Sequence, residues 1–209
     1  MFGKRTRLYI YFNLIDLLKI VKNFIKKKKL FADYLKKILE TKNLSLTSYG
    51  RVALYDIIKL IISNTNKKIF VIAPYTIPAV IHAIKYAGGE ILFVDIDKKT
   101  GLINEEKLRR IINSEIAAVI ITHLYSSEVS IANFINNFKN KILIIEDAAI
   151  NFGAKVNNKY IGTLGDYGFF SFALVKNLNT LTGGAIYIKD EIEFQNYQKN
   201  KKKNHFPST

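Results

Sequence analysis

Cysteine is absent from this chain of 209 residues, and histidine occurs only three times, at positions 82, 123 and 205. Without cysteine, the chain has no disulfide scaffold, no thiolate metal site and no cysteine nucleophile. The histidines are too widely spaced in the sequence to suggest a histidine metal cluster. Long apolar runs are lacking as well, since none reaches the ~18 residues that would span a bilayer.

Arginine is scarce even though the chain is strongly basic. The 32 basic side chains, against 17 acidic ones, comprise 27 lysines and 5 arginines, and the net charge is +15. Proteins that bind nucleic acid rely on arginine for contacts with bases and phosphates, so this composition argues against a nucleic-acid partner. Residues 1–43 alone carry a net charge of +9, and most of the basicity therefore belongs to an N-terminal arm.

The basic arm contains a predicted amphipathic helix at residues 8–25, followed by a second charged helical segment at residues 30–42. Polar residues such as Asn13 and Asp16 interrupt the apolar stretch, and no small-residue cleavage site follows, so the arm is not interpreted as a signal peptide. Two interpretations stay open. The basicity reflects an AT-rich coding bias on a solvated helix, or the arm makes a weak contact with a membrane surface or another polyanion.

The chain as a whole has the composition of a folded protein, because 49% of its residues are hydrophobic and only 23% are charged. From Leu44 onward, short apolar segments alternate with amphipathic ones. This pattern predicts helices at 50–63, 78–87, 104–113 and 131–138, and strands at 68–73, 91–95, 117–122, 141–145, 167–172 and 185–188. No helix is predicted after Asn158. Continuous apolar strands separated by helices indicate a three-layer α/β/α sandwich with a mostly parallel sheet.

Polar side chains cluster where the predicted strands end, which is the edge at which open α/β sheets bind ligands. The candidates are Tyr75, Thr76, Asp95, Asp97, His123, Glu146, Asp147, Ser171 and Lys176. No G-x-G-x-x-G or P-loop pattern accompanies them, which argues against a dinucleotide- or NTP-binding fold.

Asp147 and Lys176 each allow two interpretations when taken alone. Asp147 ends an apolar segment, and a carboxylate delivered there by a buried strand requires a cation or a hydrogen-bond donor. It could equally be the N-cap of the following segment. Lys176 is one of 27 lysines and could be an ordinary solvated side chain.

Considered in order, the motifs of this chain are more specific than any single residue. They are Gly50-Arg51-x-Ala53-Leu54, Tyr75-Thr76-x-Pro78, Gly88, Val94-Asp95-Ile96-Asp97, His123-Leu124-Tyr125, Glu146-Asp147-Ala148-Ala149, Gly153-Ala154, Gly162, Gly165-Asp166, Ser171-Phe172-x-x-x-Lys176 and Gly183-Gly184-Ala185. This series resembles the DegT/DnrJ/EryC1/StrS sugar aminotransferases, a family of fold-type I enzymes that use pyridoxal 5'-phosphate (PLP). The resemblance covers roughly residues 44–190.

The resemblance implies a role for six residues. Lys176 would form the Schiff base with PLP and then act as the acid/base that moves the substrate proton. Asp147 would pair with the pyridinium nitrogen. The backbone amides of Gly50 and Arg51, together with the Ser171 hydroxyl, would hold the cofactor phosphate, and Tyr75 would stack on the ring.

The family pattern is not followed everywhere. Ile150 stands where the family usually has Gln or His directly after Asp-Ala-Ala, a residue that contacts the ring hydroxyl of the cofactor. Ile77 follows Thr76, where an aromatic residue is common. Ser126 replaces the Gly that normally follows the His-Leu-Tyr motif.

The resemblance also implies the organisation of the chain and its function. Residues 44–190 would be a PLP-binding large domain like that of aspartate aminotransferase, after the arm at 1–43 and before a Lys/Asn-rich tail at 191–209. Because family members continue for about another domain, we expect the chain to be C-terminally truncated and the tail to begin the missing part. The expected function is a cytoplasmic, homodimeric aminotransferase of surface-polysaccharide or amino-sugar biosynthesis.

The expected substrates are a keto-sugar nucleotide and an amino-acid donor, with glutamate the expected donor. A dehydratase of the same fold would lack the Schiff-base lysine, so Lys176 favours the aminotransferase. The alternative function is an incomplete or catalytically inactive PLP-fold protein that acts as an interaction module.

Overall fold

The computed structural model describes residues 28–124 and 127–203. The helices of this part are α1 (Lys28–Ile38), α2 (Gly50–Thr65), α3 (Pro78–Tyr86), α4 (Glu105–Ile111), α5 (Glu128–Phe138) and α6 (Glu191–Lys203). The strands are β1 (Leu44–Thr47), β2 (Ile69–Ile72), β3 (Glu90–Phe93), β4 (Ile116–Thr122), β5 (Leu143–Asp147), β6 (Lys155–Val156), β7 (Lys159–Tyr160), β8 (Tyr167–Ser171) and β9 (Gly184–Ile188). The predicted helix at residues 8–25, Tyr125 and Ser126 lie outside the described residues.

Seven of these strands form one mixed sheet in the order β1-β9-β8-β5-β4-β2-β3. Strands β3, β2, β4, β5 and β8 are parallel to one another, whereas β9 runs antiparallel to its two neighbours, β8 and β1. The predicted mostly parallel sheet is therefore confirmed, and β1 and the direction of β9 are additions to it. The parallel strands direct their carboxyl ends, and the antiparallel β9 its start, to one common edge.

Two apolar cores lie on opposite faces of the sheet. Successive residues of a strand face opposite sides, and along β4 and β5 they alternate between the two cores: Val119, Ile121 and Ile144 belong to one, Ile120 and Ile145 to the other. The first core also contains buried residues of α1, α4 and α5, and the second those of α2, α3 and α6. Helices cover both faces, which confirms the three-layer α/β/α sandwich.

The helices begin and end where local sequence favours it. Helix α3 starts at Pro78, whose fixed backbone angle and missing N–H suit the first turn. Helix α5 is capped by Ser127, which accepts a hydrogen bond from the Ser130 N–H at 3.2 Å. Helix α2 ends at Asn66 in the left-handed conformation, with its N–H bonded to Ile62 O.

The connection from β5 to β8 contains turns and the short β6–β7 hairpin. Asn157 and Asn158 form the hairpin turn, both with positive φ, a conformation that asparagine adopts more readily than most residues. Parallel strands in an α/β sandwich are usually joined through a helix, and the Gly- and Asn-rich sequence here produces turns instead.

The prediction that no helix follows Asn158 is wrong, because α6 spans Glu191–Lys203. Its polar composition hides the few apolar side chains that hold it to the sandwich. Phe194 and Tyr197 are buried in the second core, and the Tyr197 hydroxyl donates to Asp56 of α2 at 2.7 Å. The domain boundaries stay a prediction, although Leu35 and Leu39, from the predicted arm, are buried in the first core.

Among the helices of residues 28–124 and 127–203, none combines the length and the apolar character that crossing a membrane requires.

Replacing Phe194 with alanine tests the docking of α6. Phe194 is 7% exposed, and truncating a buried phenylalanine costs about 3–5 kcal/mol. We expect the free energy of unfolding, measured by urea denaturation, to fall by about that amount. Ile192→Ala on the same helix is the control, because Ile192 is 71% exposed and its truncation should cost less than about 0.5 kcal/mol. Equal losses in the two variants would contradict the docking of α6.

Candidate active site

The candidate residues meet at the edge where the parallel strands end. Asp147 is the last residue of β5 and Ser171 the last residue of β8, and β5 and β8 are hydrogen-bonded neighbours. Helix α2 starts at the same edge with Gly50. The fold therefore places residues that lie up to 121 positions apart in the sequence at one end of the sheet.

Glycine at position 50 allows a close approach between helix and sheet. A Cβ on Gly50 would lie 2.9 Å from the Cβ of Ser171, and a Cβ on Gly184 would lie 2.5 Å from the Gly50 nitrogen. Only glycine fits such backbone contacts without displacement. The start of α2 is consequently pressed against the end of β8, which brings the Gly50 amide and the Ser171 side chain together.

The first turn of α2 is free of a side-chain cap. Its N-cap residue, Tyr49, makes no side-chain capping hydrogen bond, so the first N–H groups retain the partial positive charge of a helix start. The Arg51 guanidinium adds charge nearby and lies 4.2 Å from the centre of the Tyr49 ring. The turn is held in place by the Thr182 hydroxyl, which donates to Ser48 O at 3.0 Å. This arrangement favours an anion between Gly50, Arg51 and Ser171.

Asp147 is a buried carboxylate with few partners. Among the described residues, the hydrogen bond to its side chain comes from the Ala149 N–H, which reaches Oδ1 at 3.1 Å. Burial raises the pKa of the Asp147 carboxyl, while that N–H and the charges of His123 and Lys176 act in the opposite direction. Both sequence interpretations hold in part: Asp147 caps the turn that follows β5, and it also requires a further cation.

Lys176 lies in the loop that connects β8 to β9. The loop closes through hydrogen bonds from Phe172 N–H to Gly183 O at 3.0 Å and from Thr180 N–H to Phe172 O at 2.9 Å, and Lys176 N–H bonds to Ala173 O at 3.0 Å. The Lys176 side chain is half-buried and close enough to Asp147 to lower the pKa of that carboxyl. Asp147 and Lys176 therefore lie near each other beyond the ends of β5 and β8, and their shared role in one site stays a prediction.

Tyr75 follows β2 at the same edge, two strands away from β5, and is exposed. Two of the other acidic candidates, Asp95 and Asp97, are engaged in local structure instead. Asp97 Oδ1 accepts hydrogen bonds from Lys99 N–H at 2.8 Å and Thr100 N–H at 3.0 Å, and Asp95 pairs with Lys107. The structure thus brings Asp147, Lys176, Ser171 and Gly50 together, and leaves Asp95 and Asp97 as loop-stabilising residues.

Three buried polar atoms of the described residues lack a hydrogen-bond partner, and all three lie just beyond these strand ends. They are Thr76 Oγ1 after β2, His123 Nδ1 after β4 and Asn151 Oδ1 after β5. Buried polar groups without partners are rare in folded proteins. Their concentration at one edge indicates a place where a polar ligand completes the structure.

Glu146 and His123, both candidates from the sequence, form a buried pair at this edge. The His123 Nε2 atom lies 2.8 Å from Glu146 Oε2, and both side chains are fully buried. The available signal was the position of Glu146 directly before Asp147, since neighbours on a strand face opposite sides and both faces of β5 are covered.

One cavity of the described residues lies away from this edge. Its volume is about 550 Å³, and its lining includes residues of α5, the β6–β7 hairpin and the end of β9, with Lys139, Lys159 and Lys189 among them. A second groove of about 420 Å³ runs between α2 and α3 beside Arg51. Neither contains Asp147 or Lys176.

Comparison with known proteins connects the site to one enzyme family. The sequence profile of the DegT/DnrJ/EryC1/StrS aminotransferase family, whose members depend on PLP, matches residues 18–202. GDP-perosamine synthase of Escherichia coli O157:H7 is 33% identical over 146 residues, which represent 69% of this chain and 40% of that protein. The chain thus spans less than half the length of this curated relative.

Solved structures of similar proteins share the fold. The aminotransferase TlmJ from Streptoalloteichus hindustanus superposes with a TM-score of 0.82 at 19% identity, over 94% of this chain and 56% of that one. A GDP-4-keto-6-deoxymannose-3-dehydratase with a trapped PLP-glutamate geminal diamine superposes with a TM-score of 0.78 at 22% identity, over 93% of this chain and 54% of that one.

Asp147→Asn is expected to stabilise the chain without cofactor at neutral and alkaline pH. Because burial raises the pKa of Asp147 in the folded state, its stabilising contribution is complete below the usual value of 3.8 and is lost as the pH rises through the folded-state pKa. Asparagine keeps the acceptor for the Ala149 N–H and carries no charge. The melting temperature of the variant should exceed that of the wild type at pH 8, and the difference should shrink toward pH 4.

Asp97→Asn is the control of opposite sign. The Thr100 and Lys99 N–H groups lower the pKa of Asp97, so its ionised form stabilises the fold above pH 3.8 and this contribution is lost on acidification. This variant should melt below the wild type at pH 8. The same direction of change in both variants at pH 8 would contradict the assignment of Asp147 as an uncompensated buried carboxylate.

Proposed function

We propose, since this chain belongs to the DegT/DnrJ/EryC1/StrS aminotransferase family, that it forms the cofactor-binding part of a PLP-dependent enzyme that transfers an amino group to a keto-sugar nucleotide. The observation that carries the proposal is the meeting of a buried, undercompensated carboxylate, Asp147, with the Lys176 amine at one sheet edge. The uncapped start of α2 lies at the same edge.

The residues of this edge fit PLP by their chemistry. PLP has an anionic phosphate at one end, a ring nitrogen that can carry a proton and an aldehyde that reacts with amines. The N–H groups of Gly50 and Arg51 and the Ser171 hydroxyl would hold the phosphate. Asp147 would bind the protonated ring nitrogen, which supplies the cation that this buried carboxylate lacks. Lys176 is the amine that would bond to the aldehyde carbon.

The residues of the chain divide the chemical work. When bound, PLP supplies an electron sink for the carbanion that forms on the substrate. Asp147 holds a proton on the ring nitrogen, because an ionised carboxylate in a buried site favours a cationic partner. Lys176 would hold the cofactor through its Nζ atom, and the same amine would serve as the acid/base that carries a proton at Nζ.

Tyr75 is proposed to contact the face of the cofactor ring. This contact is supported by the position of Tyr75 after β2 at the common edge and by its side chain, which is 56% exposed. Ile77 and Ile150, which replace an aromatic and a polar residue of the usual family pattern, would contribute apolar contacts. The unpartnered Asn151 Oδ1, next to Ile150, is a nearby polar atom that could meet a ligand.

The substrates and the donor are proposed from relatives. Two relatives have names that refer to nucleotide sugars. They are GDP-perosamine synthase and a UDP-4-amino-4,6-dideoxy-N-acetyl-beta-L-altrosamine transaminase from Campylobacter jejuni. An amino acid, with glutamate the proposed donor, would supply the amino group. The retained Lys176 favours transamination over dehydration, and surface-polysaccharide or amino-sugar biosynthesis is the proposed context.

The proposed enzyme is a cytoplasmic homodimer. Exposed aromatic side chains beside the groove between α2 and α3, such as Tyr49 and Tyr86, are compatible with burial against a second copy. Sedimentation equilibrium decides between monomer and dimer. The membrane-surface contact of residues 1–43 also stays a proposal, and its test is co-sedimentation with anionic vesicles with and without the arm.

Reduction with borohydride tests the role of Lys176. We expect the chain, incubated with PLP, to develop a visible absorption band, and borohydride to attach the cofactor permanently to the peptide that contains Lys176. Lys176→Ala should abolish the label, whereas Lys159→Ala, in the exposed β6–β7 hairpin, should retain it. Peptide mass spectrometry provides the measurement. Equal labelling of both variants would refute covalent binding at Lys176.

Ser171→Ala tests the phosphate site. Loss of one hydrogen bond to an anion should weaken PLP binding roughly two- to tenfold, because a net hydrogen bond contributes about 0.5–1.5 kcal/mol. Pyridoxal, which lacks the phosphate, should bind the variant and the wild type equally well. Ser63→Ala, at an exposed position of α2, is the control. A loss of affinity for pyridoxal as large as that for PLP would place Ser171 elsewhere in the site.

A further inference from the structure

Glu146 is the most densely hydrogen-bonded side chain near the site. Its Oε1 atom accepts from the N–H groups of Leu164 at 2.6 Å and Gly165 at 2.7 Å, and its Oε2 atom accepts from Gly162 N–H at 3.0 Å. The His123 Nε2 atom completes the set at 2.8 Å. Four donors on one fully buried carboxylate compensate its charge without any exposed cation.

The four contacts determine the state of both side chains. A carboxylate that accepts three backbone N–H groups has no proton of its own to donate, so the hydrogen between Glu146 and His123 belongs to His123 Nε2. The histidine ring is thereby fixed in orientation. Its other nitrogen, Nδ1, is the buried atom that lacks a partner within the described part of the chain.

This cluster, formed by Glu146, His123 and the 162–165 loop, is centred on the residue that directly precedes Asp147 in β5. Because successive side chains of β5 face opposite sides, Glu146 is directed to one face and Asp147 to the other. The backbone of His123 adds a link, since its N–H donates to Asp147 O at 3.2 Å. The cluster therefore joins β4, β5 and the loop at the position from which Asp147 projects.

The loop itself is pressed against the neighbouring strand. A Cβ on Gly168 would lie 2.0 Å from Gly162 O, and a Cβ on Gly162 would lie 2.4 Å from the ring of Phe170. The loop backbone cannot withdraw from Glu146 without also moving away from β8, the strand that ends at Ser171. Glu146 thus connects the positions of Asp147 and Ser171.

We propose that Glu146 and His123 are positioning residues that hold the Asp147 carboxylate in the orientation in which it binds the cofactor ring. The physical basis of this inference is the set of four hydrogen bonds to Glu146. The part that concerns the cofactor ring rests on the proposed function. Both residues act through Asp147 and through the backbone.

Glu146→Gln tests the cluster without requiring the cofactor. A glutamine amide presents its own N–H groups to at least one of the four donors, so the set cannot be satisfied. We expect faster hydrogen exchange at the amides of Gly162, Leu164 and Gly165, and also at Ala149, whose N–H reports on the Asp147 side chain. Asp166→Asn is the matched control: Asp166 accepts from Ile144 N–H at the other end of β5. Exchange at Ala149 should stay unchanged in this control.

A pair of histidine variants provides the conservative rescue. His123→Gln can place an amide N–H near the position of Nε2 and keep the bond to Glu146, whereas His123→Ala removes it. Both histidine variants leave the three backbone donors of Glu146 in place. We therefore expect them to fold, and they keep the proposal testable even if the Glu146→Gln variant does not fold. We expect His123→Ala to accelerate exchange at Ala149 and to weaken PLP binding roughly tenfold, and His123→Gln to remain close to the wild type.

The spectrum of bound PLP separates positioning from a loss of stability. Since Asp147 holds the proton on the ring nitrogen, Glu146→Gln and His123→Ala should displace the absorption band in the same direction as Asp147→Asn, and Asp166→Asn should not. Wild-type exchange at Ala149 and a wild-type band in Glu146→Gln would overturn the positioning role while the labelled Lys176 upholds the function. Failure of the unaltered chain to bind PLP would overturn the proposed function, and with it the role of Glu146 in cofactor binding. The exchange rate at Ala149 would still show whether Glu146 positions the Asp147 side chain.

Discussion

The constraint on which this structure depends is the burial of two neighbouring carboxylates at the end of one strand. Glu146 and Asp147 end β5, which is covered by helices on both faces, so each side chain enters a different buried environment. Charge in such places is tolerated only with partners. Glu146 has four hydrogen-bond donors inside the chain, whereas the Asp147 side chain accepts one N–H, from Ala149, and is otherwise influenced only by the charges of His123 and Lys176 among the described residues. Glu146 is compensated within the folded chain, whereas Asp147 is the carboxylate for which we propose a cationic ligand.

The same edge shows how backbone geometry produces an anion site. Gly50 and Gly184 lack side chains where helix α2, β8 and β9 meet, and their close approach places the first turn of α2 beside Ser171. The glycines contribute no chemical group themselves. They allow the free N–H groups at the start of α2 to lie beside the Ser171 hydroxyl and the loop that contains Lys176.

Membership of the aminotransferase family and the geometry of the site support each other, but the first concerns the whole fold and the second concerns individual side chains. The sequence profile and the solved relatives identify the family and its fold. The surroundings of Asp147 and Lys176 support the proposal that this chain holds a charged cofactor. Since the chain spans 40% of GDP-perosamine synthase from Escherichia coli, the whole reaction is proposed for an assembly larger than the residues described.

Much of the fold and the site could be predicted from the sequence, because the governing signals are local. Buried strands such as β4 are unbroken apolar runs, Pro78 and Ser127 begin helices, and the ordered motifs around Asp147 and Lys176 indicate the family. Helix α6 was not predicted, since Phe194 and Tyr197 are the few apolar side chains with which this otherwise polar segment packs on the core. The direction of β9 was likewise invisible, because strand pairing depends on long-range contacts. That Glu146 is satisfied and Asp147 is not was decided by the tertiary structure alone, as the donors come from residues 162–165 and from His123, which only the folded sheet brings together.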